Sequence, residues 1–280
     1  MNLLVTGKGG AGSWTVRGEQ LGTALGATVR PNASRQDIEQ CDLAVVVKRT
    51  PEPLIAALRA ARRPWVLDVV DFYPQPLASQ WRRAEAIRWV RRRIADLAPT
   101  ALIWPNQQMA DDCGIDLPSV VLYHHHRPGI DPNPIRAQVG TVGYEGAPAY
   151  LAEWQPVLEA ECRRRGWRFL VNPPRLADLD IVIALRGGQW SGYVPAHWKS
   201  NVKLANAHGS STPFIGQAEC GYRETAVGGE RFVSTPADLR EALDALTPHA
   251  ARLAAHRRFA TGRYQVEDAA ADLRRFLHAL

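Results

Sequence analysis

Short runs of branched apolar residues alternate along this chain with longer stretches in which apolar positions recur every three or four residues. Short apolar runs bounded by glycine, proline and polar residues read as buried strands, and the longer periodic stretches as amphipathic helices. In the first half this gives strands at Leu3 to Thr6, Ala27 to Val29, Leu43 to Val47, Trp65 to Val70, Ala101 to Trp104 and Val120 to Leu122. Helices fill the gaps. Pro51 to Ala61 follows helix grammar most closely, with proline at its start, apolar Leu54, Ile55 and Leu58, and arginines at its end. Such alternation predicts a parallel sheet wrapped by helices.

The run RPGIDPNP, Arg127 to Pro134, ends regular structure and reads as a linker. Beyond it the pattern restarts. Strands are expected at Gln138 to Gly143, Arg168 to Val171, Ile181 to Leu185 and Pro213 to Gly216, with helices at Ala149 to Arg165 and Ser200 to Ser210. From Pro236 onward the chain reads as helical. The expected fold is therefore α/β, two Rossmann-like doubly wound domains facing across a cleft. Their bounds are 1–130 and 131–265, with 266–280 as a helix that packs back on the first domain. Ligands of such sheets bind outside the carboxyl ends of the strands.

At 280 residues and 46% hydrophobic the chain can bury two cores, which excludes a disordered protein. No secretory signal and no apolar stretch of the ~20 residues needed to cross a bilayer stands out, so a cytoplasmic protein is expected. Cys41, Cys113, Cys162 and Cys220 are scattered singly and read as reduced thiols. The net charge of +6 comes mainly from arginine. Much of it sits in WRRAEAIRWVRRR, Trp81 to Arg93, where arginines oppose apolar Ala84, Ile87 and Val90 at helical spacing. This is either a solvated helix face or a landing surface for a polyanion, through Arg82, Arg88, Arg91 and Arg92.

Gly7, Gly9 and Gly12 form a G-x-G-x-x-G loop between a strand and a helix, the position of a dinucleotide fingerprint. A NAD enzyme also carries an acidic residue at the end of the second strand, where this chain has Arg30. Arg30 suits the extra phosphate of NADP, so an NADP-dependent oxidoreductase is one reading. In the other, Gly10 and Gly12 bring backbone amides close to a sugar or phosphate.

The second half carries the more specific signal. In Trp198 to Glu224, Lys199, Lys203, Asn206 and Ser210 form a polar stripe able to hold a diphosphate, followed by a Gly-Ser-Ser-Thr-Pro turn, a short strand and Glu219, Tyr222 and Glu224. This segment resembles the donor-binding domain of glycosyltransferases with the B fold. There a helix with a phosphate-binding Lys or Arg runs into a small-residue and proline turn, a strand and an acidic loop near the ribose. The resemblance implies a nucleotide-sugar donor, UDP-linked, held by Lys203, Lys199, Arg186 and the Glu145-Gly146 loop, with Tyr222 beside it. Asn206 stands where many retaining members carry a ribose-binding Glu, which leaves Glu219 and Glu224 as substitutes.

Glycosyl transfer with inversion needs a general base and donors for the leaving diphosphate. Asp71 and Asp68, at the end of the fourth strand, are the first candidates for the base, and His124 is the third. Three adjacent histidines point to alternate faces of an extended chain, so His124 to His126 make a poor metal site, and no metal or other cofactor is expected. The DVVDFYPQP segment and the basic balance also resemble bacteriophage-type glycosyltransferases that modify hydroxymethylated pyrimidines in DNA. That implies DNA as acceptor; a glycan or glycolipid is the alternative. Sugar transfer, NADP-dependent redox chemistry and a non-catalytic nucleotide- or DNA-binding module are thus the three function classes.

Overall fold

The computed structural model describes residues 1–280 except Ala11, Asp71, Phe72 and Pro76. Two all-parallel sheets form the chain's frame. The first is built from β1 (Leu3–Gly7), β2 (Thr28–Pro31), β3 (Leu43–Val47), β4 (Trp65–Asp68), β5 (Ala101–Trp104) and β6 (Ser119–Val121), in the order β2-β1-β3-β4-β5-β6. The second, from β7 (Thr141–Tyr144), β8 (Arg168–Val171), β9 (Ile181–Ala184), β10 (Phe214–Gly216) and β11 (Arg231–Phe232), has the order β11-β10-β9-β7-β8. This is the expected pair of doubly wound α/β units.

The central strands are apolar at every position because helices cover both faces. In β3, Ala44 and Val46 face one layer with Leu54, Ile55, Leu58 and Val90, while Val45 and Val47 face the other with Leu21 and Leu273. The strands are pinned by neighbours in register, such as Val5 opposite Val45 and Val46 opposite Leu67. In the second unit Val142, Ile181 and Ile183 pack with Leu158, Leu239 and Leu243, and Val182 and Ala184 pack with Leu204 and Phe259 on the opposite face.

Of the first unit's helices, α1 (12–24) has a π-helical middle, Thr15–Gln20, α2 is Arg35–Gln40, and α3 is Glu52–Ala60. The basic segment forms α4 (Arg83–Leu97), and α5 (Gln107–Cys113) follows β5. Helix α4 buries Ala86, Val90, Ile94 and Leu97, so its inward face is rotated from the Ala84, Ile87 and Val90 face expected from sequence; Ala84 is exposed. The reason is length: the helix runs past Arg93 to Leu97, and the four-residue spacing of Ala86, Val90 and Ile94 supplies the longer apolar row.

The second unit adds α6 (Trp154–Arg164), α7 (Tyr193–Trp198), α8 (Val202–Ser210), α9 (Cys220–Thr225), α10 (Pro236–Leu246), α11 (His249–Phe259) and α12 (Val266–His278). Two of these belong spatially to the first unit. Val194 and Trp198 of α7 join its core, and Tyr193 Oη and Trp198 Nε1 both donate to the Asp112 carboxylate, at 2.5 and 2.8 Å. Ala269, Ala270, Leu273 and Leu277 of α12 pack beneath β1 and β3. The chain therefore crosses between the units more than once.

Candidate functional site

The carboxyl ends of both sheets open onto one cleft of about 1280 Å³. Lys8 follows β1, Lys48 and Arg49 follow β3, Gly146 follows β7 and Arg186 follows β9, and all of them line it. The placement follows from parallel topology, since every strand delivers its outgoing loop to the same edge of its sheet. Seven lining side chains are lysine or arginine, and none is aspartate or glutamate among the described residues. Four come from the first unit, Lys8, Lys48, Arg49 and Arg93; three come from the second, Arg186, Lys199 and Lys203. Such a surface concentrates anions.

Lys203 lies at the start of α8, and its Nζ sits 3.8 Å from the centre of the Tyr144 ring. That amine is buried without a hydrogen-bond partner. Burial holds its pKa well below the ordinary lysine value, the Arg186 cation lowers it further, and Glu219 and Glu145 oppose them. Arg186 is itself buried, which disfavours its charge, yet Glu219 at 2.7 Å holds it protonated, above the usual arginine range. Its guanidinium also stands 5.6 Å from the Tyr150 ring centre, and Tyr150 packs on Trp190 at 4.5 Å. Gly146 completes this wall with φ +135, where a Cβ would come 3.3 Å from Lys203 Nζ and 3.1 Å from Tyr144 Oη. Only glycine leaves that approach open.

The fold is the glycosyltransferase-B architecture. The heparin-free comparison rests on solved structures: the chain superposes on Alr3699/HepE of Anabaena, solved in complex with UDP-glucose, with a TM-score of 0.60 and 14% identity, over 99% of this chain and 100% of that one. It is similarly like AviGT4, a glycosyltransferase involved in avilamycin A biosynthesis, with a TM-score of 0.56 and 14% identity over 100% and 98% of the two chains. A trehalose 6-phosphate synthase of Burkholderia multivorans matches with a TM-score of 0.55 and 10% identity over 96% and 81%. No protein-family model matches the sequence, and no curated protein matches it.

Six of the residues singled out in sequence meet at the cleft: Gly12, His124, Gly146, Arg186, Lys199 and Lys203. Others stand immediately behind it. Glu219 supports Arg186, and Glu145 accepts from Arg127 at 2.9 Å and from Asn206 Nδ2 at 3.3 Å. Asn206 is thus engaged with Glu145 and, through its oxygen, with the Arg127 amide at 2.9 Å. Ser210, the far end of the expected polar stripe, is buried against Thr212. Gly10 is exposed at φ +68 and does not line the cleft.

Several residues have tasks other than those expected. Tyr222 is buried in the core edge-on to Phe214, because the short helix α9 turns its apolar side inward. Glu224 accepts from the Gln107 and Gln108 amides at 2.8 and 3.0 Å and from Tyr123 Oη at 3.0 Å, so it caps α5 of the first unit. Asp68 is buried against Arg17 at 3.0 Å, and burial, opposed by Arg17, raises its pKa. Arg17 in turn donates to the Leu122 carbonyl at 2.7 Å. This pair fastens α1 to β4 and β6 rather than facing the cleft. Asp71 lies outside the described residues, although Val70 and Tyr73 on either side line the cleft.

On α4, Arg82, Arg88 and Arg92 are exposed, and Arg91 donates to the Cys113 and Gly114 carbonyls at 2.5 and 3.2 Å, closing the end of α5. The cleft-facing residues of this helix are Trp89 and Arg93. Lys8, Lys48, Arg49, Tyr150 and Trp190 were not singled out by sequence reasoning. Lys48 and Arg49 carried a usable signal, since they directly follow a confident apolar strand. Among the described residues no helix is long and apolar enough to cross a membrane, and no group of three potential metal ligands occurs.

Proposed function

We propose that the chain transfers a sugar from a nucleotide-sugar donor, UDP-linked, to an acceptor hydroxyl. The observation that carries this reading is the buried Lys203 amine without a hydrogen-bond partner, beside Arg186 and Lys199 at the strand ends of the second unit. A lone buried amine is costly, and a phosphate oxygen turns it into a charge-assisted hydrogen bond. The donor's diphosphate lies against these three cations, which stabilise the charge that grows on it as the glycosidic bond breaks. They supply this charge without a metal. UDP is favoured because the similar Anabaena protein was solved with UDP-glucose.

The base comes from the first unit. Asp71 is our first choice, between cleft-lining Val70 and Tyr73, and His124, which lines the cleft, is the second. For the acceptor we propose a hydroxymethylated pyrimidine in DNA. Exposed Arg82, Arg88 and Arg92 lie on the same helix as cleft-lining Trp89 and Arg93, giving basic surface that leads inward. A base entering the cleft has to leave its stack.

Incubating the protein with a panel of nucleotide sugars and hydroxymethylated DNA, followed by nucleoside mass analysis, tests this. A hexose-sized mass gain with a UDP-sugar is expected. Should NADP raise the melting temperature and no nucleotide sugar do so, the transferase reading is lost.

A further inference from the structure

The donor reading accounts for Arg186, Lys199 and Lys203 and leaves the cations of the opposite wall unused. Lys8, Arg49 and Arg93 line the same cleft from three separate elements: the loop after β1, the loop after β3, and α4. Among the described residues, no hydrogen-bond or ion-pair partner reaches the side chains of these three. A narrow recess lined by Lys8, Ser13, Lys48 and Arg49 shows that the first two loops converge. Lys48 adopts φ +58, and the Arg49 amide donates back to the Val47 carbonyl at 2.6 Å, a tight turn in a conformation that lysine rarely takes. Strained backbone of this kind collects at ligand sites.

Like charges in one cavity repel each other, and a sugar nucleotide brings its phosphates to one wall only. We propose that the first wall holds a phosphoryl group of the acceptor, gripped by Lys8, Arg49 and Arg93. Trp89, also lining the cleft, offers a flat face for the base or sugar attached to that phosphate. The inference rests on the sugar-transfer reading and names the acceptor's chemistry at the same site. A phosphate in a DNA strand and a phosphate on a free nucleotide present the same group, and their affinities tell them apart.

Calorimetric titration of the UDP-saturated protein with thymidine, thymidine 5′-monophosphate and single-stranded oligothymidylate is the test. The monophosphate is expected to bind at least about tenfold more tightly than thymidine, and Arg49→Gln/Arg93→Gln to remove most of that difference. Arg49→Gln alone, checked by its melting temperature, gives a smaller loss in a variant with a single change. Oligothymidylate binding about tenfold or more above the monophosphate, and falling steeply with salt, assigns the phosphate to a strand; equal affinity assigns it to a free nucleotide. Equal binding of thymidine and its monophosphate, or full affinity in the double variant, overturns the proposal. Protein that fails to bind UDP counts against sugar transfer itself, whereas UDP binding without phosphate discrimination defeats the acceptor inference alone.

Discussion

Lys203 is the residue on which function and stability pull apart. Its amine is buried with no hydrogen-bond partner, and its pKa is pushed down first by burial and then by Arg186. The unfolded chain holds that proton more tightly than the folded one. Stability from this group therefore rises with pH, and is lost as pH falls from the ordinary lysine value toward the depressed one. Lys203→Met is expected to stabilise the unliganded protein by about 1 kcal/mol or more, read from urea unfolding, because it removes an unsatisfied buried donor. A bound diphosphate reverses the preference and favours the ammonium. UDP binding should thus take up a proton, seen as a binding enthalpy that depends on the buffer, and Lys203→Met should abolish that dependence. At the opposite wall, Asp71→Asn is expected to lower turnover by roughly 10²- to 10⁴-fold while UDP affinity stays nearly constant. Unchanged turnover would remove Asp71 as the base. Lys203 was legible in sequence because a lysine on a predicted helix leading into a proline turn has few other uses. Tyr222 and Glu224 were not legible as structural, because burial and capping depend on partners far away in sequence, Phe214 and the α5 amides.

At the scale of elements, the strands were readable almost to the residue, since β3, β5 and β8 coincide with their apolar runs. Short helices were harder. Helix α7 has six residues and no long apolar period, and its place is set by Asp112, which gathers Tyr193, Trp198, Gln108 and Arg83. Helix α5 is likewise held by side chains from elsewhere: Asn106 accepts from the Met109 amide at 2.8 Å, and Glu224 holds two further amides. Glu224→Ala is expected to cost about 1 kcal/mol, the worth of a helix cap, and to leave UDP affinity unchanged within about twofold. A large loss of UDP affinity with no change in unfolding midpoint would return Glu224 to the donor site. The cleft-lining role of Trp89 and Arg93 escaped sequence reasoning because the register of α4 is fixed by packing of Ala86, Val90 and Ile94.

For the whole molecule, the exchange of segments between the two units decides how they are coupled. Helix α12 closes the chain by filling one face of the first sheet, and Leu273 there is 1% exposed. Leu273→Ala is expected to cost ~2–5 kcal/mol in unfolding experiments, through lost burial and the cavity left behind. The linker followed from its prolines, whereas the return of α7 and α12 to the first unit did not, because an apolar helix face does not say which sheet it covers. The facing arrangement of strand ends makes the cleft, and the cations on its two walls give that cleft its chemistry. Calorimetric titration of UDP into the wild-type protein and the Lys203→Met variant tests this most directly. The account predicts saturable wild-type binding weakened by about tenfold to a hundredfold in the variant, the loss of one charged hydrogen bond. Equal affinity in the two proteins, or no UDP binding to either, would contradict it.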